Sequence, residues 1–118
     1  MKIVEISLGE ELYSGLVSRT VLKTSLLWRH KRLSLTLSFT EDVKTLANAL
    51  LTEGPIPEKS EIDAYHISVA TINGMEYLLT WNCTHIANAV LRPKIEAICK
   101  DCGFEPPIIC TPQELMGE

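Results

Sequence analysis

"DAYHISVATINGMEYLLTWNCTHIANA", residues 63–89, changes character twice, and the order of those changes decides the fold. From Ala64 to Ile72 the residues Ala64, Tyr65, Ile67, Val69, Ala70 and Ile72 leave little polar surface on a helical wheel. A helix of that kind is buried on most sides. Asn73-Gly74 stops it. The consecutive apolar residues of "EYLLTW" (76–81) then read as a short strand buried on both faces, as in a parallel sheet. Past that strand the chain turns polar at once, through Asn82, Cys83, Thr84 and His85. The carboxyl ends of strands are where open α/β sheets bind ligands.

Upstream, "RLSLTLSF" (32–39) alternates strictly, with Leu33, Leu35, Leu37 and Phe39 on one side and Ser34, Thr36 and Ser38 on the other. It predicts a half-buried strand near a sheet edge. Thr40 stands as an N-cap, with Glu41 and Asp42 in the positive first turn of a helix running to about Thr52. "EGPIPEKS" (53–60) is a turn, because Gly54 ends one helix and Pro55 and Pro57 delay the next, which covers roughly 58–72. Residues 9–28 carry Leu12, Leu16, Val17, Val21 and Leu22 at helical spacing, with Gly15 as a weak point. Downstream, a helix is predicted from about 86 to 102, broken at Arg92-Pro93 and closed at Gly103. "PPIIC" (106–110) is a last short strand, and "TPQEL" (111–115) has the Thr, Pro and Glu of a capping box. Helices alternating with strands predict an α/β domain with a mostly parallel sheet.

The 118 residues fit one domain, and 46% hydrophobic and 22% charged residues are the values of an ordinary globular chain. A formal charge of −4 leaves no global basic footprint for nucleic acid, and Lys23–Arg32 is the only basic cluster. No apolar run reaches the length of a membrane span and the N-terminus has no signal-peptide pattern, so a cytoplasmic protein is expected. Of the four cysteines, Cys99 and Cys102 are a close pair, and no second close pair completes a ligand set. A zinc site would need Cys83, His85 or Cys110 brought to them. Reduced, mostly buried thiols are the expectation.

Asp63 enters the buried helix near its N-terminus, with His66 one turn later on the same face. A carboxylate there needs a cap, a partner or a metal. Ser60-x-x-Asp63 matches a weak capping box, and a helix N-terminus favours a negative charge by about 0.3–1 kcal/mol. Taken singly, His66 also reads as a hydrogen-bonded core histidine and Asn82 as a loop residue or N-cap. Taken in order, Asp63 and Asn82 come near the carboxyl ends of neighbouring elements, and oxygen ligands converging there suit a hard cation such as Mg²⁺ or Mn²⁺.

Residues 63–89 resemble the C-terminal half of PIN domains, specifically the VapC-like group associated with toxin–antitoxin systems: Asp on a helix of small and apolar residues, then a strand ending in Thr-x-Asn. "PPIICTPQELMG" (106–117) is similar to the last strand and terminal segment of one bacterial subgroup. The resemblance covers 54–118 closely and 1–53 only loosely. It implies a single PIN-like domain over 1–118, a three-layer sandwich with a mostly parallel central sheet, and a ribonuclease that depends on Mg²⁺ or Mn²⁺. Asp63 matches the family's helical acid, Asn82 the position of the acid after the strand, and Thr80 the hydroxyl before it. Glu5 in "VEISLGEEL" is the candidate for a glutamate on an earlier helix, and the alternative is that "KIVEIS" (2–7) is itself the first strand with Glu5 as its acid. His66 and His85 are secondary, phosphate-contacting candidates.

Under the helix reading the chain is N-terminally shortened and lacks the family's first strand, which leaves a sheet edge to cover. Under either reading the carboxylates fall to two, Glu5 and Asp63, plus the neutral amide of Asn82, so metal should bind weakly. The expectations are therefore a VapC-type nuclease of reduced or lost activity acting on RNA, or a non-catalytic protein that self-associates or binds an antitoxin-like partner.

Overall fold

Ile3, Val4 and Ile6 are β-branched residues, and such side chains favour a pleated backbone. In the computed structural model, which describes residues 1–117, they belong to strand β1, Lys2–Ile6. Four more strands follow: β2 (Leu12–Leu16), β3 (Leu33–Ser34), β4 (Tyr77–Thr80) and β5 (Ile108–Cys110). The helices are α1 (Arg19–Thr24), α2 (Glu41–Thr52), α3 (Glu61–Ile72), α4 (Leu91–Asp101) and α5 (Pro112–Leu115). The strands form one sheet in the order β3-β2-β1-β4-β5. β1 pairs in parallel with β4, and β4 with β5.

β1 corrects one expectation: Glu5 lies on a strand rather than a helix, that strand is central in the sheet, and the alternative placing of residues 2–7 in a first strand is the one that forms. The reason is local. Residues 12–16, placed in a helix by the spacing of their leucines, fold back on β1 as an antiparallel hairpin with Val4 opposite Ser14 and Glu5 opposite Tyr13. The turn closes with Ser7 and Glu11 exchanging backbone and side-chain hydrogen bonds, and Glu10 takes a left-handed φ of 64°. "LYSGLV" alternates as readily as it follows a helical stripe, and Gly15 weakens the helix. The hairpin makes the sheet mixed rather than mostly parallel, since β2 also pairs antiparallel with β3.

The edge strand predicted over 32–39 shrinks to Leu33–Ser34. Its continuation leaves the ladder: the Ser14 hydroxyl donates to the carbonyl of Leu35, and the Asn73 side-chain amide both accepts from and donates to the backbone of Ser38. The helix predicted over 86–102 begins at Leu91 instead, where Asn88 Oδ1 accepts from the amides of Val90 and Leu91. Pro93 therefore sits in a first turn, where the missing N–H has no helical partner to lose. The capping box at Thr111 and Glu114 forms as predicted, with Pro112 at the first helical position.

Helices cover both faces of the sheet. On the first, α2, α3 and α4 bring Leu46, Leu50, Ile67 and Ile95 onto Val4, Ile6, Leu78 and Ile109. On the second, Leu22 of α1 and Trp28 pack on Ile3, Leu79 and Cys110. Each fully buried aliphatic side chain contributes about 1.5–3 kcal/mol. No helix among the described residues is long and apolar enough to cross a membrane.

Gly15 is also a close-approach position, because a Cβ there would lie 2.5 Å from Cδ and 2.9 Å from Cβ of Arg32. Gly15→Ala should lower stability by about 1–3 kcal/mol, read as a lower urea midpoint, by pushing Arg32 off the rings of Tyr13 and Trp28.

Candidate functional site

Alternation along β1 and β4 sorts the candidate residues between the two faces. Val4, Ile6, Leu78 and Thr80 share the parity that faces α3, while Ile3, Glu5 and Leu79 share the other. Asp63, Thr80 and Asn82 come together on the first face, with Ile6, Ser7 and Glu10, around a cleft of about 170 Å³. Glu5 faces the opposite way, into a separate cleft of about 240 Å³. Trp81 lines both.

On the first face, Asp63 is 5% exposed in the opening turn of α3. Neither Asp63 nor Ser60 forms the expected cap, and Ser60 makes no side-chain cap bond. The partner of Asp63 is His85, whose Nδ1 lies 3.0 Å from Oδ2. An ionised carboxylate only accepts, so Nδ1–H is the donor. The loop that delivers His85 is built by the residues quoted for it. Thr80 Oγ1 accepts from the Asn82 amide at 3.0 Å, and Asn82 Oδ1 accepts from the amides of Thr84 and His85 at 3.1 and 3.0 Å. Asn82 thus spends its amide oxygen on an Asx turn, which sets the imidazole against Asp63.

His66, one turn along α3, is 7% exposed, and its Nδ1 makes no hydrogen bond. Burial pulls its pKa below the usual histidine value, against the weaker opposing pull of Glu10 and Asp63.

On the second face, the Glu5 carboxylate is enclosed by donors. Arg29 Nη2 lies 2.7 Å from Oε2, Arg29 Nε 3.2 Å from Oε1, Trp28 Nε1 2.7 Å from Oε1, and Trp81 Nε1 3.3 Å from Oε2. Tyr13 stacks under the Arg29 guanidinium at 4.0 Å. Trp28, Arg29 and Trp81 were not singled out from the sequence. The one available signal was the Trp-Arg pair inside the basic cluster, since arginine forks onto carboxylates and an indole N–H can only donate.

A Mg²⁺ or Mn²⁺ ion held jointly by Glu5 and Asp63 does not fit this arrangement. The sheet lies between the two carboxylates, and each already has a cationic or imidazole partner. Among the described residues no three His, Cys, Asp or Glu side chains stand close enough together to hold an ion. The cysteines are likewise divided. Cys99 packs on the first face and Cys110 on the second, and burial raises both thiols to about 11. Comparison with protein-family models, curated proteins and solved structures gives no match.

Two outcomes follow from this geometry. Arg29→Met leaves Glu5 with two indole donors but no counter-charge, and should cost about 1–3 kcal/mol, partly recovered in the Arg29→Met, Glu5→Gln double variant when both are measured by chemical denaturation. His66 titrates at lower pH folded than unfolded, so between its folded pKa and about 6.5 the unfolded chain binds the extra proton. Stability should therefore rise with pH through that window and level off above it. A Tm–pH profile should show this slope in the wild type and a shallower one in His66→Gln.

Proposed function

We propose that this chain is a PIN-like, VapC-type domain in which the family's Mg²⁺- or Mn²⁺-dependent cleavage of RNA is reduced or lost. The resemblance of residues 54–118 supports the family. So does the local architecture: a central strand parallel to β4, a helix carrying Asp63 ahead of it, and Thr80 and Asn82 at the strand's carboxyl end. The observation that carries the loss of activity is the division of the two acids between opposite faces of the sheet, each already engaged by its own partner. Magnesium dehydrates reluctantly and relies on clustered carboxylates and substrate phosphates, so a lone paired aspartate is a poor holder. The cytoplasm is the compartment that this reading assigns.

A second reading is favoured by the same pairs. Glu5 and Asp63 hold together the loops of residues 28–32 and 82–90, so both acids have structural work without any metal. A domain that keeps the scaffold and drops the chemistry would act by self-association or by binding an antitoxin-like partner.

Purified chain incubated with single-stranded RNA and added Mn²⁺ should cleave it no faster than the Asp63→Asn variant does. Mn²⁺-dependent cleavage that Asp63→Asn abolishes would overturn the loss of activity while leaving the family reading intact. Sedimentation of the same sample separates the second reading's two forms, since self-association appears without a partner.

A further inference from the structure

The sheet has two outer strands, and the sequence treats them differently. β5 is one, with Pro106 and Pro107 before it and Pro112 after it. Proline offers no N–H to a neighbouring strand and so blunts an edge. β3 is the other. The stretch that begins with it, "LSLTLSF" (33–39), contains no charge, no proline and no glycine. Leu33 stands opposite Leu16 at this edge, and the two are 67% and 42% exposed.

The outward backbone groups follow from the ladder. The Lys2 carbonyl accepts from the Glu76 amide beside β4, so Lys2 faces β4 and Ile3 faces β2. Gly15 is paired with Ile3, which turns Leu16 toward Leu33 and leaves Ser34 facing out. The Leu35 carbonyl points inward again, to the Ser14 hydroxyl, so Thr36 is next to face out. Its backbone makes no hydrogen bond among the described residues. Asn73 holds the backbone of Ser38 and closes the open stretch.

That stretch complements itself. Antiparallel pairing about Leu35 sets Ser34 of one copy against Thr36 of another and Leu33 against Leu37, hydroxyl with hydroxyl and leucine with leucine. Charge agrees with the same arrangement. Exposed Lys31 precedes the stretch, and exposed Glu41 and Asp42 follow it. A two-fold axis brings the basic end of each copy to the acidic end of the other.

We propose that two copies of this chain pair their β3 edges about an axis at Leu35, exchanging backbone hydrogen bonds between Ser34 and Thr36. The exposed strip of Leu16 and Leu33 then runs on into Leu37 of the second copy. This interface deepens the self-association reading above and rests on it, whereas nuclease chemistry plays no part in it.

Sedimentation equilibrium of the whole chain over a range of concentrations tests the interface. Thr36→Pro removes an N–H that the folded monomer leaves unused, and should weaken the dimer about tenfold or more. Lys31→Glu and Glu41→Lys should each weaken it, and the double variant, which restores opposite charges, should recover most of the loss. Ile108→Ser, on the other outer strand, should leave it unchanged. Denaturation midpoints establish that the variants are folded. A chain that stays monomeric at every concentration would overturn both the interface and self-association. A dimer that Thr36→Pro leaves intact, that Ile108→Ser weakens equally, or that the charge swap fails to restore would overturn this interface and leave self-association standing.

Discussion

The Glu5 carboxylate has to be neutralised where it stands, on the central strand of the sheet and 5% exposed. A buried, unpaired carboxylate is among the costliest groups a fold can contain. The second face is organised around that requirement. Both tryptophans of the chain donate their indole N–H to it, and Arg29 spans both oxygens. The turn from Trp28 to His30 and the end of β4 are tied to the same two oxygens, though they are far apart in sequence. Arg29 is fixed further by the Tyr13 ring, which belongs to the strand opposite Glu5.

Much of the first face was legible in the sequence because its signals are local. The all-round apolar pattern of 64–72, the Asn73-Gly74 stop and the apolar run before Thr80 each depend on neighbours within a few residues, and α3 and β4 stand where those signals put them. The segment 12–16 was misplaced because leucines four apart satisfy a helical stripe and an alternating strand equally over so short a length. What decided between them was pairing with β1, which no local pattern reports. The early start predicted for α4 failed for a related reason. Asn82 and Asn88 each offer a side-chain oxygen to two backbone amides, and these turns compete successfully with helix over 82–90.

The candidate site was legible in its place and less so in its wiring. Asp63, Thr80 and Asn82 do gather at one cleft, as their order along the chain implies. Glu5 could not join them once it lay on a strand, because a residue's face on a strand is set by parity, and its parity is opposite to that of Thr80. Nor could the sequence show that His85, rather than an ion, would answer the charge of Asp63. That contact depends on the Asx turn at Asn82, a feature of three-dimensional geometry carried by a common residue type.

Trp81 stands at the end of β4 with a cleft on either side. Its indole turns to the second face, where the ring N–H lies 3.3 Å from Glu5, so the residue that ends β4 is shared by clefts on opposite sides of the sheet. Substitutions in the two clefts that both reach Trp81 share a neighbour, so their effects should fail to add although a sheet separates them. Two clefts on opposite faces are in this sense joined at one residue.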